Sequence, residues 1–219
     1  MPQKSWIMFA IWLQGDDDAF TLYKIPPPQL HLHIGNVDLV MNALIAIWGL
    51  NEVTNWCKTH NIMRRGYHGG SFDGNNAKKI LSHVDDLADS CPISCIQLVE
   101  VLRAFDPIVS GCFGDHLDPN FLDLFSNFQS VFVQTQESLK NHESGARLNC
   151  TWKVHILLVH LPVFLSHFHC GMSRFSEQCG ESIHHAMKPS LARYSVSEDH
   201  LLHAEKLLRA VSAFSASRT

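Results

Sequence analysis

Several things are scarce in this 219-residue chain, and each scarcity excludes something. Charged residues are only 17% of it, and the formal net charge is −4. A strongly basic nucleic-acid binder, which neutralises phosphates with a large excess of Lys and Arg, is thereby excluded. There is no CxxC pair, and the seven cysteines (57, 91, 95, 112, 150, 170 and 179) are odd in number and scattered. That is no disulfide framework, and reduced thiols in a nuclear or cytoplasmic setting are expected. No uninterrupted apolar run approaches the roughly 18 residues of a membrane span, so no membrane association is expected. The start, "MPQKSWIMFAIWLQGDDD", lacks an A-x-A-like cleavage site and runs into three aspartates. It reads as a buried strand ending in a Gly-Asp turn rather than an export signal. Neither internal repeats nor low-complexity tracts are present.

What the chain does have is apolar residues, at 46%, and 15 histidines. The first is enough to build a core. The second lets the net charge move by many units between pH 8 and pH 5.

The pattern along the chain predicts a mostly α protein with a small β element at the start. Residues 5–13 and 20–24 suggest a strand pair, and Pro26–Pro28 then interrupts regular structure because proline lacks an N–H and fixes φ. Residues 1–28 are therefore expected to form a strand pair and linker, and 29–219 a helical domain. Asn36 is expected to cap a helix over 36–60. Further helices are expected over 77–90, over 92–111 with Pro92 in its first turn, and over 119–142. An apolar helix over 149–169, bent near Pro162, and two more over 177–188 and 198–215 complete the expectation.

Four motifs carry potential chemistry. In "HILLVHLP", His155 and His160 are five apart, about 140° around a regular helix. Paired zinc ligands on one helix prefer spacings of three or four, so this pair needs a distorted turn and ligands from elsewhere. Packed or half-exposed histidines are the plainer reading. Cys57-x2-His60 has ligand-like spacing, and Cys91-x3-Cys95 would put two thiols on one helix face. In "LHLHIGN", His31 and His33 would share a side if the segment were extended, as a ligand or proton-relay pair. Otherwise the stretch is a turn into the following helix. "GNNAKKIL" places a Gly-Asn loop ahead of a helix bearing Lys78 and Lys79, where backbone N–H groups could meet phosphate. "SEQCGESIHH" puts Glu177 and Glu181 on one helix face. Such a carboxylate could join a two-metal phosphoryl-transfer site, but only with two more carboxylates beside it.

In this order the motifs resemble the C-terminal half of the Transib transposases and the V(D)J recombinase subunit related to them. The resemblance spans roughly residues 25–215. It implies an RNase H-like DDE core with a zinc-bearing helical insertion, an enzyme that cuts and joins DNA with Mg²⁺ or Mn²⁺. The family's Leu-His-x-Asp-Ile-Gly-Asn is matched by Leu30 to Asn36, with His31 on the family histidine and His33 in place of its Asp. Lys78 and Lys79 match its basic run as DNA contacts, and His155 and His160 match its zinc histidines. Glu181 matches its catalytic glutamate, with Glu177 as the fallback because the string here is one residue longer.

The departures limit what is implied. The family's two catalytic aspartates and its zinc CxxC lie upstream of the first motif, where this chain has only about 25 residues. Asp16, Asp17 and Asp18 form a turn run and are not matched to them. The expected function is thus a recombinase-derived fragment that does not cut DNA alone, with incomplete divalent-metal and zinc sites. DNA, a separate N-terminal catalytic half and a second copy of the chain are the expected partners. The alternative is a non-catalytic helical module that binds a protein or DNA.

Overall fold

In a computed structural model of the chain, the residues described are 26–175 apart from 65 and 67–69. All of them belong to the first of the two units into which the chain's contacts divide it, Met1–Phe175 and Ser176–Thr219. The strand pair expected over 5–24, the helices expected over 177–188 and 198–215, Glu177 and Glu181 lie outside the described residues.

The described residues are mostly helical and contain no strand. Helix α1 is Gln29–Trp48, α2 Leu50–Thr59, α3 Gly74–Ser82 and α4 Val84–Ser90. A 3-10 turn, Ile93–Cys95, leads into α5, Ile96–Cys112. Then come α6, Phe121–Leu139, and α7, Trp152–Phe168, followed by a 3-10 turn, Met172–Phe175.

Helix α1 is the axis. It packs against α2, α3, α5 and the start of α7. Leu32, Val37, Val40, Met41 and Leu44 are each at most 2% exposed. Burial of one such side chain contributes about 1.5–3 kcal/mol. This many-sided packing explains a correction. No apolar run of the sequence is unbroken for 18 residues, yet α1 is, by length and composition, apolar enough to cross a membrane. A helix buried on several sides needs the same composition.

Two further expectations change. The helix expected over 36–60 starts seven residues earlier, at Gln29, directly after the prolines, and breaks at Gly49. Gly49 has φ 107°, a conformation that costs glycine little and other residues much. Asn36, expected as a cap, is buried in the middle of α1, where its Nδ2 donates to the Leu32 carbonyl at 2.7 Å. The helix expected over 77–90 is two helices, parted at His83.

Helices α5 and α6 form the most extensive pair. Phe105 and Phe128 meet between them with ring centroids 5.5 Å apart. The buried Thr135 hydroxyl donates within α6 to Val131 and lies 3.2 Å from the α5 carbonyl of Gln97.

Candidate functional site

Helix α7 is not regular. Trp152–His155 and Leu161–Phe168 are α-helical, but Ile156–His160 between them is a π turn. The sequence supplies the reason. Pro162 has no N–H to offer the Leu158 carbonyl four residues back, and its ring crowds that carbonyl. The preceding turn widens instead, and the Leu161 N–H bonds to Ile156, five residues back. Residues five apart then come nearly into line. His155 and His160, which a regular helix would splay apart, stand with ring centroids 5.0 Å apart and planes at 77°. Burial lowers the pKa of both, and the neighbouring His155 lowers His160 further.

The first half of α1 gathers three of the four motifs. The side chain of Leu30 approaches Gly74 so closely that a Cβ there would lie 2.8 Å from it. The stem of Lys153, two residues before His155, lies across Gly35, where a Cβ would come within 2.2 Å. "LHLHIGN", "GNNAKKIL" and "HILLVH" are thus neighbours in space, although they span residues 30–160.

Within "LHLHIGN" the structure departs from the sequence reading. The stretch is helical rather than extended or a turn, so His31 and His33 point to different sides. His31 is exposed. His33 is buried between Phe105 and Phe113, at 6.3 and 6.4 Å, and its Nε2 is buried without a hydrogen-bond partner. Burial, then Lys78, lowers its pKa to about 4, so it is neutral at pH 7. The two do not form a relay pair.

On α3, Asn76, Ala77, Ile80 and Leu81 face the core, which turns Asn75, Lys78, Lys79 and Ser82 outward. Asp73 caps the helix, its carboxylate accepting from the Asn76 N–H and Nδ2 at 2.8 Å each. The outward face borders an open groove of about 520 Å³ shared with Asn61 and Met63 beyond the end of α2. Lys79 Nζ donates to the Asn61 carbonyl at 3.0 Å.

The cysteine readings are not supported by geometry. Cys91 follows α4 and Cys95 closes the 3-10 turn, so they share no helix face. Burial pushes the Cys57 and Cys95 thiols up to about 11 and Cys112 to about 12, which keeps them protonated at pH 7.

One cluster has no counterpart in the motif reading. Ligand atoms of His60, His83 and Asp86 all lie within 4.8 Å of one another, the only such group of three among the described residues. His60 was singled out with Cys57, but its neighbours are His83 and Asp86. The signal available in sequence was "SHVDD", a His and an Asp three apart at a helix start; what placed His60 against them is the packing of both α2 and α3 on α1. His155 and His160 acquire no third donor of this kind among the described residues. Comparison with known proteins finds no match for this chain among family models, curated proteins or solved structures.

Proposed function

We propose that the chain is a non-catalytic helical binding module of DNA-recombinase lineage, one that contacts a nucleic-acid backbone along the groove between α3 and the segment that follows α2. The observation that carries this reading is the outward face of α3. Lys78 and Lys79 stand there beside the amides of Asn61 and Asn75, the types of donor that meet phosphate oxygens. Asp73, the one acid bordering the groove, is engaged in capping. The lineage rests on the order of the motifs, and the meeting of three of them on α1 is compatible with it. The lack of catalysis rests on the sequence: two catalytic metal ions need several carboxylates, and of the family's three only the glutamate is matched, by Glu181.

With two lysines in contact, binding is weak and moderately salt-dependent. The slope of log K against log salt is about −1.8 for duplex and about −1.4 for a single strand. Fluorescence anisotropy of labelled random DNA, read from low to moderate salt, tests this. The paired substitution Lys78→Ala and Lys79→Ala abolishes the response, and the protein does not nick duplex in Mn²⁺. Absence of any DNA response at low salt refutes the nucleic-acid reading and leaves the protein-binding alternative. Nicking that disappears in Glu181→Ala refutes the non-catalytic reading.

A further inference from the structure

We propose that His60, His83 and Asp86 form a divalent-metal site that takes zinc or a similar borderline cation. The site fastens the end of α2 to the junction of α3 and α4. It is separate from the His155–His160 pair and does not depend on the groove binding nucleic acid.

The geometry comes from three helix ends. His60 follows the last turn of α2, His83 is the single residue between α3 and α4, and Asp86 lies in the first turn of α4. The donor atoms are within 4.8 Å of one another, and His83 Nδ1 and Asp86 Oδ2 are 3.2 Å apart. Two ligands at zinc bond lengths of about 2.0–2.1 Å and a tetrahedral angle are roughly 3.3–3.4 Å apart. The His83–Asp86 edge, at 3.2 Å, is already close to that length. Small rotations of His60, which faces His83 with ring centroids 4.4 Å apart, close the remainder.

The backbone under these side chains is held. The ring of Trp56, itself 5% exposed, lies 4.6 Å from His60 and backs it from the core side. Ile62 donates to the Cys57 carbonyl at 2.8 Å, and Lys79 bonds across to Asn61. The His83 N–H is shared between Lys79 and Ile80, and the His83 carbonyl accepts from Leu87. Asp85 is drawn to Arg103 of α5 at 2.7 Å, which fixes the first turn of α4 and leaves Asp86 to face His83. Metal ligands on such anchored positions lose little freedom on binding.

The donor set selects the ion. Two imidazoles and one carboxylate suit zinc and its neighbours in the transition series, whereas magnesium and calcium prefer all-oxygen sites. The side chains of His83 and Asp86 are 38% and 60% exposed, so an ion can enter and a water can complete the coordination. Without an ion, the His83–Asp86 contact is an ordinary pair three residues apart at a helix start, and the experiment separates the two.

The full-length chain, stripped with chelator and dialysed, is titrated with Zn²⁺ by calorimetry and with Co²⁺ by visible absorption. Expected are one equivalent of metal and tetrahedral cobalt bands. His83→Gln or Asp86→Asn weakens binding at least tenfold, and the paired His155→Gln and His160→Gln substitution leaves it unchanged. His83 and Asp86 are partly or largely exposed, so their variants should keep the fold, and their circular dichroism is recorded alongside. If either variant fails to fold, X-ray absorption of the zinc-loaded wild type decides: two imidazoles with oxygen ligands support the site, and sulfur in the coordination shell overturns it. Failure to take up zinc overturns the proposal. So does uptake that survives both His83→Gln and Asp86→Asn, or that is lost only with His155 and His160. None of these readings involves DNA, so they stand apart from the anisotropy result.

Discussion

His155 and His160 face each other at 5.0 Å across a π turn, although five residues on a regular helix would send them to different sides. The relationship makes the two titrations depend on each other. Burial and the His155 imidazole both hold the His160 pKa below its ordinary value. In His155→Ala the neighbouring charge goes and solvent access to His160 increases, so both effects act upward. The His160 midpoint in an NMR titration should therefore rise toward 6.5. A midpoint that stays where it is in the wild type would show that the rings are not coupled.

The buried His33 predicts an acid-sensitive fold. Its pKa is lowered to about 4 in the folded chain, against about 6.5 when unfolded. The unfolded state therefore binds the proton more readily, and stability present above pH 6.5 is lost as the pH falls toward 4. At pH 5 the loss from this residue is roughly 2 kcal/mol. His33→Leu removes the titration and an unpaired buried nitrogen. Denaturant melts of the variant should match the wild type within about 1 kcal/mol at pH 7 and exceed it at pH 5. Equal pH dependence in the two proteins would contradict the assignment.

Gly171 is set by close approach. Its N–H donates to the Asp115 carbonyl at 3.2 Å, and a Cβ would meet the Gly114 carbonyl oxygen at 1.9 Å. That neighbour is backbone and cannot step aside. At Gly35 the clash is with the far end of the Lys153 side chain, which can. Gly171→Ala should cost about 3 kcal/mol or more and Gly35→Ala clearly less, as read from thermal melts. The reverse order would mean that the segment after α7 is not docked on the 114–116 loop.

The α5–α6 interface should dominate stability among single truncations. Phe105 is 1% exposed and touches aromatic rings of α1, α6 and the end of α5 through His33, Phe128 and Phe113. Phe105→Ala should cost about 3–5 kcal/mol. Ile93→Ala, at a side chain 92% exposed, should stay within about 0.5 kcal/mol of the wild type. Similar effects at both positions would refute the packing described.

Much of the helical layout was readable from residue order, because apolar spacing and caps are local. Lys78 and Lys79 face outward as the period around Ile80 and Leu81 requires, and helix α6 falls within the 119–142 span where the pattern places it. The errors came where a local signal had two meanings. Asn36 resembles a cap, yet its amide bonds one turn back inside a helix, and only the burial of α1 on several sides shows which applies. "LHLHIGN" resembles a turn for the same reason: glycine and asparagine mark helix ends in isolation, but here both lie inside α1, with the Lys153 side chain across Gly35.

By itself, the sequence determined most of the helical segments among the described residues, their buried faces and the irregularity of α7 near Pro162, since that residue withholds a donor from whatever turn precedes it. The encounter of His60 with His83 and Asp86, and of His33 with Phe105 and Phe113, was decided by tertiary structure. Periodicity reports which side of a helix is buried. It carries no information on which distant helix covers that side, because that choice follows from the packing of side chains across the whole core.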